Sequence, residues 1–135
     1  MKSLEEIRRI LLTDVKTVLS TNLPSVKVAY PNFFDIDLEN FTDPYFIMVD
    51  IELGSDVVAG DIGKSDISVY GSLIVHAVFV NDKGWAGSTG LTDVLAANFL
   101  STQVNGIDYT TMKVYNSAPY PGYKGRKHVI KFVCS

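Results

Sequence analysis

The sequence predicts an α+β domain in which two helices pack against one mainly antiparallel sheet of about five strands. Three observations support this prediction. Residues 4–19 carry apolar side chains at helical spacing, residues 45–53 and 70–80 alternate as strands do, and the small residues of 84–90 open a second helical segment. With 135 residues, 47% apolar and 20% charged, the chain is predicted to form a single domain over 1–135.

The N-terminal segment is predicted to form an amphipathic helix that begins after Ser3 and ends near Thr21–Asn22. Ser3 and Glu6 have the spacing of a capping box, in which the serine oxygen accepts the Glu6 amide. One face of this helix is apolar, and it consists of Leu4, Ile7, Leu11, Val15, Val18 and Leu19. The polar residues are expected mostly off this face, and they are Arg8, Arg9, Asp14 and Lys16.

The segment after this helix predicts strands separated by long irregular stretches. A short strand is expected over Val26–Tyr30 and a longer one over Tyr45–Leu53, with irregular structure over 31–44 between them. The expected apolar anchors of the irregular stretch are Phe33, Phe34, Ile36, Leu38 and Phe41. Residues 54–66 are rich in glycine and acidic residues, so we expect a long connector that becomes ordered only on assembly.

The second half of the chain predicts a central strand over Tyr70–Val80 and a helix from Gly84 to Phe99–Leu100. Glycines at the start of that helix are expected to allow close packing of the helix on the sheet, since the segment lacks the lysine of a phosphate-binding loop. Two further strands are predicted, over Ile107–Tyr115 and Arg126–Cys134, with a turn-rich loop over Asn116–Gly125.

Charge is segregated along the chain. Residues 35–66 hold nine acids against one lysine, a local charge of −8, whereas 109–135 hold five bases and no acid. Two interpretations are open: the charges neutralise each other across adjacent strands of one subunit, or they meet across a contact between subunits. The net charge of −3 disfavours a nucleic-acid partner, which would need a dominant basic face.

The residue types that carry chemistry do not form a known catalytic or metal-binding pattern. His76 and His128 lack metal-site spacing, Cys134 lacks the surroundings of a nucleophile, and the acids of 35–43 miss the calcium-loop pattern. We therefore expect no enzyme activity, no cofactor and no metal. The single cysteine favours a reducing compartment, and the longest apolar runs are too short to span a membrane.

Motifs in their order along the chain resemble the tail-terminator (tail-completion) proteins of long-tailed bacteriophages, the family of the lambda minor tail protein U. The resemblance is carried by IRRILLTDVKTVL, VAYPNFFDIDL, PYFIMVDIEL, YGSLIVHAVFVNDKGWAGSTGLTDVLAANF and the closing HVIKFVCS, which together span nearly the whole chain. The family often has tryptophan where this chain has Tyr30.

The resemblance implies a structural protein of the virion tail, assembled in the host cytoplasm. Such proteins form a ring, typically of six subunits, that caps the tail tube, stops its polymerisation and offers a surface to the head-completion protein. With the charge segregation it suggests assembly contacts at Asp56, Asp61, Lys64, Lys124, Arg126 and Lys127. Two alternatives remain: another head–tail joining or tube-like component, and a small ligand-binding or enzymatic α+β domain.

Overall fold

The computed structural model describes residues 3–31, 36–39, 41–59, 65–79, 83–119 and 121–134, without the side chains of 55–59, 65–68 and 83. The described chain forms two helices and six strands: α1 Leu4–Asn22, β1 Val28–Ala29, β2 Phe46–Ala59, β3 Ser65–Phe79, α2 Lys83–Phe99, β4 Thr102–Val104, β5 Ile107–Ser117 and β6 Lys124–Cys134.

The six strands form one sheet in the order β1-β2-β3-β6-β5-β4. Neighbouring strands are antiparallel except β1 and β2, which are parallel. The α+β class is therefore confirmed, but the expected count of about five antiparallel strands is wrong, because the sheet has six strands of mixed orientation.

The additional strand β4 arises from a tight turn at Asn105-Gly106. Asn105 has φ of 52° and Gly106 has φ of 81°, and Val104 pairs with Ile107 across them. Positive φ at both central residues is typical of the type I′ hairpin turn, for which Asn-Gly is the favoured sequence. The prediction missed this hairpin although its turn signal is present.

The predicted connector over 54–66 is wrong for its described part. Strand β2 continues to Ala59 and β3 begins at Ser65, and their register runs unbroken from Phe46 opposite Val78 to Ala59 opposite Ser65. Antiparallel pairing with β3 gives the backbone of this segment hydrogen-bond partners, which offsets its turn-forming composition. Residues 60–64 lie outside the described residues.

Both helices pack on one face of the sheet. The amide of Glu6 donates to Ser3 Oγ at 3.1 Å, which confirms the expected cap of α1. Asp14 was expected on the polar side of α1, yet it is only 7% exposed. The core beneath the helices is one cluster whose largest members are Ile7, Leu11, Leu19, Ile47, Leu73, Phe79, Leu91, Leu95, Phe99, Tyr109 and Phe132.

A smaller apolar cluster lies on the opposite face at one end of the sheet. Phe46 and Val78 are fully buried there beneath Ile36, with Leu38 and Phe41 packed alongside. Three of the five predicted anchors, Ile36, Leu38 and Phe41, therefore pack the described part of the 31–44 stretch against the sheet. The other two, Phe33 and Phe34, lie outside the described residues.

The glycines of α2 allow a close approach of helix and sheet, as predicted. A Cβ atom on Gly84 would overlap the Phe79 ring, and one on Gly87 would overlap the Tyr45 ring. Gly90 does not share this role, because a Cβ atom there would meet no atom within 4 Å.

Candidate assembly surface

The two histidines occupy opposite faces of the sheet. His76 is partly buried on the face away from the helices, whereas His128 is fully buried beneath α2. Within the described ranges, no three histidine, cysteine, aspartate or glutamate side chains lie close enough together to hold a metal ion. Cys134 is buried in the core below the helices.

His128 fastens α2 to the sheet. Its Nδ1 lies 2.9 Å from the carbonyl oxygen of Val75, which can only accept, so Nδ1 carries a proton. In the neutral ring Nε2 then accepts a hydrogen bond from Thr92 Oγ1 at 2.6 Å. Burial lowers the pKa of His128, aided by Arg126 and His76, while the bond to Val75 opposes the shift. His128 therefore links α2 to the sheet through both of its ring nitrogens.

Asp14 holds a second polar network, between α1 and the β4–β5 turn. Its carboxylate accepts hydrogen bonds from Asn105 Nδ2 at 2.9 Å and from the Tyr109 hydroxyl at 2.7 Å. Burial and the neighbouring carboxylate raise the pKa of Tyr109, so its hydroxyl stays protonated and donates. The helical spacing of Asp14 from Ile7 and Leu11 is the signal that places it on the buried face.

The basic residues proposed as assembly contacts lie together on β6 but face different sides. Arg126 points toward α2, where its guanidinium lies 5.3 Å from the Trp85 ring centroid and Nη1 donates to Thr89 Oγ1 at 3.2 Å. Lys127 points to the opposite face, in register between His76 of β3 and Tyr115 of β5. Arg126 thus already has partners within its own subunit.

Of the other proposed contacts, Asp56 lies in the β2–β3 hairpin and Lys124 lies in β6. Asp56 stands on β2 opposite Ser68, and its side chain is outside the description. Asp61 and Lys64 lie outside the described residues. Strand β6 pairs with β3 only as far as Val69 opposite Cys134, so the hairpin runs past β6 as a two-stranded ribbon. Lys124 begins β6, opposite Phe79.

The sheet order separates the acidic strand from the basic strand. Strand β3 lies between β2 and β6, so Glu52 and Lys131 share a row with Ser72 between them. These three side chains and Tyr70 line an open groove of about 390 Å³ on the face away from the helices. Glu52 of β2 and Lys131 of β6 are therefore not direct neighbours. One ion pair between described residues joins Lys27 to Asp43 on the surface.

The long strands β2 and β5 are only partly covered by the short outermost strands β1 and β4, so each has an open edge. Strand β1 is in register with Ile47 and Met48 of β2, and β4 is in register with Ile107 to Tyr109 of β5. In the described sheet, residues 51–59 of β2 and 110–117 of β5 have no strand partner on their outer side. Such edges present free amide and carbonyl groups that can pair with another chain.

Comparison with known proteins supports the fold alone. One solved structure, of a protein whose name states no function, matches with a TM-score of 0.68 over 100% of this chain and 97% of that one, at 15% sequence identity. No protein-family model and no curated protein matches the sequence. In the described part of the chain, neither helix has the length and apolar character needed to cross a membrane.

Proposed function

We propose that this chain is a tail-terminator protein, which caps the tail tube of a long-tailed bacteriophage as a ring and provides the surface for joining the head. The observation that carries this proposal is the order of motifs from IRRILLTDVKTVL to HVIKFVCS along nearly the whole chain. In the fold these motifs correspond to the two helices and to the long strands β2, β3 and β6.

The geometry supports a structural role in an assembly. The polar residues that are fully buried serve packing: His128 bonds to the sheet and to α2, and Ser88 Oγ donates to the Trp85 carbonyl oxygen. The exposed features are instead extended ones, namely two open strand edges and a ribbon at the end of the β2–β3 hairpin. Features of this kind suit contacts with other protein chains.

The partners in this proposal are further copies of the chain, which form a ring of six as in the resembled family. The ring also contacts the tail-tube protein and the head-completion protein. The complex forms in the host cytoplasm and remains in the virion tail. The proposal assigns the chain no catalytic step, cofactor or metal.

Tail length tests this function. Purified tail-tube protein from the same genome should polymerise into tubes of uncontrolled length, and adding this chain should shorten and narrow the length distribution seen by electron microscopy. Heat-denatured chain serves as the control. Tubes that grow equally with and without the folded chain would exclude tail termination.

A further inference from the structure

The two open edges lie at opposite ends of the sheet and run in opposite directions. Strand β2 is antiparallel to β3, β3 to β6, and β6 to β5, so β2 and β5 are antiparallel to each other. When a second copy is placed beside the first with its strands in the same sense, its β5 edge meets β2 in antiparallel orientation. Antiparallel pairing is the more stable arrangement per residue.

We propose that the β2 edge of one copy pairs with the β5 edge of a second copy of this chain, so that the sheets of neighbouring subunits become continuous. The contact is head-to-tail, since it joins two different patches, and repeated rotation closes such a contact into a ring or extends it into a filament. The inference rests on the proposed function only for closure into a ring.

Charge complementarity favours a second copy of this chain as the partner of the open β2 edge. Residues 51–59 of β2 include two acids and no base, with Asp50 just before them, whereas residues 110–117 of β5 include Lys113 and no acid. Asp50 and Glu52 lie on the face away from the helices, and the register places Lys113 on that same face. Opposite charges on neighbouring strands stabilise a sheet, and like charges destabilise it. Pairing of β2 with β5 is therefore favoured over pairing of two β2 edges.

The hydrogen-bond directions identify which amides this contact uses. The Ile47 amide donates outward to the Lys27 carbonyl oxygen, so in β2 the odd-numbered residues direct their amides to the open edge. Following the register through β3 and β6, the Lys113 and Tyr115 amides point to β6 and the Val114 amide points outward.

The Ile51 amide, also directed outward, donates instead to Asp50 Oδ1 at 2.9 Å. A carboxylate at an open edge discourages indiscriminate strand addition, which is a recognised protection of sheet edges. This edge therefore repels a second acidic edge while its remaining amides and carbonyls stay open to the basic β5 edge.

A proline at Val114 tests the backbone contact. Val114 is 42% exposed and its amide faces outward, so proline there removes an edge donor and spares the β5–β6 ladder. We expect Val114→Pro to give a folded monomer by circular dichroism and sedimentation, where the parent forms oligomers at high protein concentration. Val114→Thr, which keeps the amide and the branched shape, should assemble like the parent. An unchanged oligomer in Val114→Pro would overturn the proposal.

A charge exchange tests whether the β2 edge pairs with the β5 edge, and it does so without altering the backbone. Glu52→Lys or Lys113→Glu alone should raise the apparent dissociation constant severalfold at low salt, and the double variant should return it to about the parent value. Glu5→Lys with Arg9→Glu, an exchange on the exposed surface of α1, serves as the matched control. Equal behaviour of single and double variants would contradict the contact, as would a parent chain that stays monomeric at millimolar concentration and at tube ends.

The outcomes separate this contact from the proposed function. Rings on tube ends that are insensitive to the edge variants would retain the function and reject the contact. Edge-sensitive oligomers that leave tube length unchanged would retain the contact and reject the function.

Discussion

The carboxylate of Asp14 joins α1 to the β4–β5 turn through two hydrogen bonds, from Asn105 and Tyr109. Replacing it by alanine leaves the buried Tyr109 hydroxyl without its acceptor and removes one hydrogen bond from the exposed Asn105. We expect Asp14→Ala to lower the free energy of unfolding by about 3 kcal/mol, because hydrogen bonds to a charged group are among the stronger ones. Urea unfolding measures this loss.

Asp93 is the matched control for that experiment, since it is an exposed aspartate on the other helix. Asp93→Ala should change the free energy of unfolding by no more than about 0.5 kcal/mol. Equal losses in the two variants would show that the network around Asp14 contributes nothing beyond helix propensity.

His128 predicts a dependence of stability on pH. Its pKa in the folded chain lies below the ordinary value of 6.5, mainly because burial disfavours the charged ring. Between the lowered pKa and 6.5 the unfolded chain binds the proton more readily, so the free energy of unfolding falls as pH drops below 6.5. The loss ends below the folded-state pKa, where both states are protonated.

The measurement is an NMR titration of the ring protons, with His76→Asn used to assign the two histidines of the chain. The His128 signal should remain in its neutral position at pH values where a free histidine is half protonated. A His128 signal that titrates with an ordinary pKa would refute this prediction.

For single residues, the spacing along a helix or strand predicts which face a side chain occupies better than its polarity does. Asp14 was placed with the polar residues of α1 because it is charged, although its spacing from Ile7 and Leu11 puts it on the buried face. Arg126 and Lys127 are both among the expected assembly contacts, although neighbouring strand residues point to opposite faces. Which of those faces meets α2 depends on tertiary packing, and the sequence alone does not determine it.

At the scale of elements, helix α2 depends on how closely it approaches the sheet. A Cβ atom on Gly87 would overlap the ring of Tyr45, which is only 8% exposed and cannot readily move. We expect Gly87→Ala to lower the free energy of unfolding by about 1–3 kcal/mol, as overpacking of a core does.

Gly90→Ala, one turn further along α2, should instead raise the free energy of unfolding by about 0.5–1 kcal/mol. There the added methyl group meets no atom within 4 Å, so the helix gains only the better helix propensity of alanine. Thermal unfolding of the two variants checks both signs, and destabilisation of similar size in both would contradict the packing account.

Both helices and the long strands follow from local periodicity, which is why they could be predicted from the sequence. Strand β4 was missed because it has three residues, although Asn105-Gly106 marks its turn. The parallel pairing of β1 with β2 and the extension of β2 to Ala59 depend on partners distant in the chain. Local composition favours a loop in the latter segment, and the strand ladder overrides it.

For the whole molecule, the separation of charge along the chain becomes a separation across the sheet. Acidic β2 lies near one side and β5, which carries Lys113, lies near the other, with β3 and β6 between them. The acidic strand β2 and the basic strand β6 are therefore not direct neighbours, an arrangement that is consistent with the proposed contact between subunits. The sequence could not provide this result, because no local pattern encodes the order of the strands.

In the proposed function, copies of this chain close into a ring on the end of a tail tube. Image averaging of tube ends by negative-stain electron microscopy, with the purified chain added to purified tubes, tests it most directly. We expect a cyclic density of discrete subunits at tube ends that is absent from tubes incubated without the chain. Tube ends that stay bare, while the folded chain remains in solution as a monomer or a two-fold dimer, would contradict it.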